Sequence, residues 1–211
     1  MNVVAARLAR AIAPTRRVLT TTLSARHPFP KHAINPHTFP RTYATDAGFT
    51  DSHLLAQQAQ ESMSRGASAL TQGNAPAALP YLEHALRLHP TADTHYNMGI
   101  CRYMLNDVDQ AIEHWQMSVT MDPTQADAYV SLGNAYFLSK KDTKRAIEFM
   151  TKAMELAPKD PEIQFNLACV HESAGDLESA IMLYDRAVSY GLEKAQAYLR
   201  NAIAKQMKKN L

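Results

Sequence analysis

Six histidines lie beyond residue 43, together with two cysteines and several turn-forming acids, and these are the side chains in the chain most able to do chemistry. Their spacing argues against it. His84 and His89 are five apart rather than three or four, so they do not share the helical face a two-histidine metal site needs. His53, His95 and His114 are scattered, and His171 stands where a helix face calls for an aromatic. Cys101 and Cys169 fall inside predicted helices with neither metal-ligand spacing nor a disulfide framework, which reads as two small buried hydrophobes. Asp107, Asp142 and Asp176 each stand at a turn before a predicted helix, the place for an N-cap. No phosphate-binding glycine loop and no nucleophile with its base is present, so the residues point away from an enzyme, a metal site, a cofactor or a small-molecule substrate.

The elements that carry these residues repeat. In the stretch Ala126 to Pro158, Tyr129, Leu132, Gly133 and Tyr136 fall at helical spacing, followed after a polar break by Ala146, Met150 and Ala153, and Pro158 closes the unit. Small Gly133, Ala146 and Ala153 allow two antiparallel helices to approach, and the larger residues fill either side. The unit recurs: Gly66, Gly99, Gly133 and Ala168 lie 33, 34 and 35 residues apart. Ala78, Ala111, Ala146 and Ala180 keep the same beat, followed by Leu82, Trp115, Met150 and Tyr184. Pro90, Pro123 and Pro158 end three units, and Gly191 ends the fourth as a helix C-cap. This pattern resembles W-x2-L-G-x2-Y…A-x3-F…P, the tetratricopeptide repeat.

The resemblance implies an all-α, right-handed solenoid of four helical hairpins, at about 52–90, 91–123, 124–158 and 159–192, with a capping helix and tail over 193–211. The first helix is expected to be capped by Asp51 or Ser52 and to reach about Leu70. In repeat one, Ser62 and Arg65 replace expected large apolar residues, as suits a terminal repeat with one face uncovered. Turns are expected at Gln72-Gly73-Asn74, Asn106-Asp107, Lys140-Lys141-Asp142 and Ala174-Gly175-Asp176, the third carrying one extra residue. Arg102 breaks an aromatic position, with Tyr103 as the substitute.

Residues 1–43 carry seven Arg or Lys and no acid, and Val4, Leu8 and Ile12 share a helical face opposite Arg7 and Arg10. This segment resembles a cleavable mitochondrial presequence, which implies use of the import and processing machinery and a mitochondrial address, in the matrix or at the matrix face of the inner membrane. Arg41-Thr42-Tyr43-Ala44 resembles a matrix processing site with Arg41 three residues before the cut, so cleavage is expected between Tyr43 and Ala44, followed by a linker over 44–51. No run reaches the roughly 20 apolar residues of a membrane span.

Stacked hairpins present their first helices as a continuous groove. The repeat period assigns to it Met63, Tyr96, Ile100, Tyr103, Val130, Phe137, Phe165 and Cys169 as apolar lining, and Asn97, Asn134 and Asn166 as hydrogen-bonding groups for a peptide backbone. The expected function is therefore a non-enzymatic adaptor that binds a peptide segment or helix of another protein, in respiratory-complex assembly or mitochondrial translation. The basic clamp of chaperone-binding family members is missing. Asp93, Asp127 and Glu162 open three of the first helices, and residues 44–192 hold 10 bases against 19 acids, which favours a basic partner over nucleic acid. The competing reading is an RNA- or ribosome-associated factor that docks through Lys194, Arg200, Lys205, Lys208 and Lys209.

Overall fold

The computed structural model describes residues 46–210, with side chains from Ser52 onward; the presequence and its processing residues Arg41, Tyr43 and Ala44 lie outside the described residues. Nine helices follow in order: α1 (Asp46–Thr71), α2 (Ala75–Leu88), α3 (Ala92–Met104), α4 (Val108–Met121), α5 (Ala126–Ala135), α6 (Thr143–Leu156), α7 (Pro161–Ser173), α8 (Leu177–Ser189) and α9 (Ala195–Lys209). Among the described residues there is no strand. Each helix packs on its neighbours in sequence, and α1 also reaches α3, so the chain is a helical solenoid of hairpins rather than a bundle with crossing connections.

Within each hairpin the approach is set by one small residue. A Cβ added to Gly99 would lie 2.4 Å from Nε1 of Trp115, one added to Gly133 would lie 2.5 Å from Cγ of Met150, and one added to Gly66 would lie 2.7 Å from Cγ of Leu82. Trp115, Met150 and Leu82 are fully buried, and Trp115 also donates its indole N–H to the Tyr96 carbonyl at 3.2 Å. Tyr103 packs on Trp115 with ring centroids 5.8 Å apart, while Arg102 turns back to Glu83 of α2.

The hairpin turns share one design, a residue in the left-handed region followed by an N-capping Asn or Asp. The left-handed residues are Gly73, Asn106, Lys141 and Gly175. Their caps Asn74, Asp107, Asp142 and Asp176 accept from the backbone N–H of Ala77, Gln110, Arg145 and Ser179. In three turns the cap's own N–H reaches a carbonyl five residues back, as Asp107 does to Arg102 at 2.8 Å. In repeat three Asp142 reaches six back, to Tyr136 at 2.9 Å, because residues Tyr136–Lys140 form a π-helical turn. The extra residue of this repeat is thus absorbed by the helix and not by the turn, where the sequence had placed it.

A second difference concerns the start of the fold. α1 begins at Asp46, inside the stretch expected to be a linker over 44–51, so Asp51 and Ser52 lie within the helix rather than capping it. No proline stands between Asp46 and Thr71 to stop the helix from extending.

The small-residue contacts generate a ranking. Gly99→Ala pushes a methyl into a rigid, buried indole and is expected to cost about 1–3 kcal/mol. Gly133→Ala meets a flexible methionine that can shift, and should cost less. Urea denaturation of the two variants checks the order, and equal losses would mean that the indole is not held as described.

Candidate functional site

The inner face assigned from the period is more enclosed than an open groove. Met63, Tyr96, Asn97, Ile100, Asn134, Phe137, Phe165, Asn166 and Cys169 are all less than a tenth exposed, whereas Tyr103 and Val130 are half-buried. Tyr103 and Val130 are therefore the members of this face that stay accessible. The asparagines are singular in their pairing. Neither amide atom of Asn97 has a hydrogen-bond partner, and the side-chain oxygens of Asn134, Asn166 and nearby Gln164 have none.

Tyr96 links two repeats. Burial and then the Asp127 carboxylate raise its pKa, while a hydrogen bond with Ser131 of α5 opposes the shift. The acids at the helix starts are engaged from the next repeat. Gln125 donates to Asp93 at 2.9 Å and Lys194 to Glu162 at 2.6 Å, each across 32 residues, so a polar latch recurs with the period. Glu172, only 8% exposed at its side chain, accepts from Tyr184 at 2.7 Å and from Lys205 at 2.5 Å.

α9 therefore lies across the inner face of repeat four. Tyr198 stands edge-on to Phe165 with centroids 4.9 Å apart, and the Lys194 ammonium sits 4.9 Å from the centre of the same ring. Ala195, Leu199 and Ala202 are buried against the rest of the fold. Of the face read from sequence, the contributions of α3 and α5 stay together, while Phe165 on α7 is covered.

This geometry can be set beside known proteins. Tetratricopeptide repeat profiles match residues 64–126, 105–161 and 137–205. The chain belongs to the tetratricopeptide repeat family. It is 26% identical over 104 residues to human tetratricopeptide repeat protein 6, covering 49% of this chain but only 20% of that protein. It is 24% identical over 131 residues to the photosystem I assembly protein Ycf3 of Prochlorococcus marinus subsp. pastoris, covering 55% of this chain and 76% of that one. Among solved structures, MamA 41-end from Desulfovibrio magneticus RS-1 superposes with a TM-score of 0.64 at 22% identity, over 72% of this chain and 87% of that one. This likeness concerns the fold alone. The tetratricopeptide fold implies protein partners, and no helix among the described residues is long and apolar enough to cross a membrane.

Within the tetratricopeptide array, the two thiols are poor nucleophiles. Burial pushes Cys101 up to about 11 and Cys169 up to about 12, so neither is a thiolate at neutral pH. No cluster of three or more His, Cys, Asp or Glu suited to a metal ion occurs among the described residues.

Sequence reasoning missed a pair of histidines. His95 on α3 and His114 on α4 share a hydrogen bond of 3.0 Å between their Nδ1 atoms, which requires one ring to donate and the other to accept. A separation of 19 residues was the available signal, because Trp115 and Tyr96 meet across the same hairpin at that spacing. Burial, then His95, then Arg102 lower the His114 pKa to about 4, and burial lowers that of His95. A basic group with a depressed folded pKa contributes stability above its unfolded value of 6.5, and that contribution is lost as pH falls toward about 4. The melting temperature should accordingly drop between pH 6.5 and 4, and the drop should shrink in His114→Gln. Identical pH profiles for the two proteins would refute this coupling.

Proposed function

We propose that the chain is an adaptor of the mitochondrial matrix that receives a peptide segment or helix of another protein on the inner face of α3 and α5. The observation that carries this reading is the accessible part of that face, half-buried Tyr103 and Val130, set beside buried Tyr96 and Ile100. Apolar side chains of this kind can anchor a peptide or helix, and a few such anchors supply most of the energy of recognition. Asp93 and Asp127 on these two helices favour a partner with basic residues. Ycf3 is named as a photosystem I assembly protein, which supports assembly of a respiratory complex as the setting for this chain.

The address rests on the basic, acid-free first 43 residues. Processing between Tyr43 and Ala44, directed by Arg41, leaves every described helix intact, since α1 begins at Asp46. The rival reading, docking on ribosomal RNA through α9, is weakened because Lys194 and Lys205 are already paired with Glu162 and Glu172. Arg200, Lys208 and Lys209 remain for it.

Two measurements test these statements. Val130→Glu places a charge on a half-buried position of the inner face and should abolish partner capture from mitochondria with the circular dichroism spectrum unchanged; full retention of partners, with loss in Lys208→Glu/Lys209→Glu, would transfer the site to α9. N-terminal sequencing of the protein from isolated mitochondria should read from Ala44, and Arg41→Ala should block or displace the cut. An intact Met1 on the matrix form would remove the processing site.

A further inference from the structure

The α1–α2 hairpin has a side that no element covers among the described residues. Elsewhere in the stack that side is occupied: α2 packs on α3, α4 on α5 and α6 on α7. Where α2 covers α3, a carboxylate of the covering helix meets an arginine of the covered one, Glu83 to Arg102 at 3.2 Å. At the open end lies a cleft of about 500 Å³ between α1 and α2, with Arg65, Arg87, His84, Tyr81 and Ser62 in its walls. Leu54, Gln58, Glu61 and Arg65 follow one another at helical spacing on α1, so Leu54 lies on the same face of that helix, beyond the end of the cleft.

Two properties separate this face from a merely solvated end. It exposes large apolar groups, with Leu54 at 51%, Leu55 at 42% and Tyr81 at 41%. It also holds uncommitted positive charge in a folded body that is otherwise acidic. Arg65 is 61% exposed and is held only by Glu61 one turn away on its own helix, at 2.7 Å. Arg87 makes no ion pair among the described residues. Ser62 and His84 are joined at 3.0 Å, bracing the cleft floor between the two helices. An exposed pair within one helix stabilises little, so an incoming carboxylate can take Arg65 from Glu61 with little loss. Arginine forks match carboxylates in a bidentate way that water does not.

We infer that this end face is a second docking site, separate from the inner face, and that its occupant is an acidic amphipathic helix of a partner protein. The helix lies on α1 and α2 as α2 lies on α3. Its carboxylates meet Arg65 and Arg87, and its apolar side chains cover Leu54, Leu55 and Tyr81. The two sites then select opposite charge, basic segments on the inner face and acidic helices at the end.

The test uses the full-length protein and two fluorescein-labelled helical peptides of about 18 residues with the same leucine stripe, one with glutamate and one with lysine on the polar face. Fluorescence anisotropy should show the glutamate peptide bound at least about tenfold more tightly, with affinity falling as salt rises. Arg65→Glu/Arg87→Glu should reverse the preference, and the milder Arg65→Gln/Arg87→Gln should weaken the glutamate peptide while the melting temperature holds. Val130→Glu should leave its affinity within about twofold, which separates this site from the inner face. Equal binding of the two peptides, no binding of the glutamate peptide, indifference to the arginine variants, or loss in Val130→Glu would each overturn the assignment.

Discussion

The contact on which the architecture depends is the close pass of two helices over a single missing side chain. Gly99 lets the Trp115 ring lie where a Cβ would otherwise stand, and Gly133 and Gly66 do the same for Met150 and Leu82. The bulky residue fills the volume between the helices, and its burial supplies the apolar energy that holds the hairpin. Everything further follows from the distance this sets. With the two helices of a repeat at a fixed approach, the next first helix can seat only in one register, and the recurring Gln125–Asp93 and Lys194–Glu162 latches record that register at 32 residues.

The hairpins were legible in the sequence because they rest on residues whose physical meaning is strong and local. Gly73-Asn74, Asn106-Asp107 and Gly175-Asp176 pair a residue tolerant of positive φ with a capping side chain, and the structure uses each in that way. Lys141 carried no such signal. It adopts the left-handed region because the turn demands it, and the additional residue of that repeat goes into a π turn at Tyr136–Lys140, whose first residue stacks on Phe149 with centroids 5.4 Å apart. The start of α1 was misplaced for a related reason. Asp51 and Ser52 are good caps, but a cap ends a helix only where the chain before it prefers another conformation.

The exposure of the face assigned from the repeat period was not legible in the sequence. Periodicity says which residues share a helical side, and Tyr96, Ile100 and Phe137 do share one; it does not say how tightly the next helix closes over them. The same limit applies to charge. Counting Lys194 and Lys205 as free cations on a basic helix overlooked that Glu162 and Glu172 stand one repeat earlier, within reach once the stack forms. Pairs such as His95–His114 are invisible to a search for ligand spacing within one helix, because their 19-residue separation acquires meaning only when the hairpin folds.

The ends of the stack differ in a way the interior cannot. In a solenoid, stability is a sum of repeats and nearest-neighbour interfaces, so an interior side chain is answerable to two neighbours and an end side chain to one. At the C-terminal end this freedom is used for closure: α9 and the residue before it bring two lysines to the acids of α7, and Tyr198 lies edge-on to Phe165, covering it on the inner face of repeat four. At the N-terminal end the corresponding side of α1 and α2 keeps Arg65, Arg87, Tyr81 and Leu54 exposed. Residues there can change without cost to the interior registers. The interior asparagines have no such freedom. Asn97 is fully buried within the stack, where carrying a polar amide out of water costs the array stability.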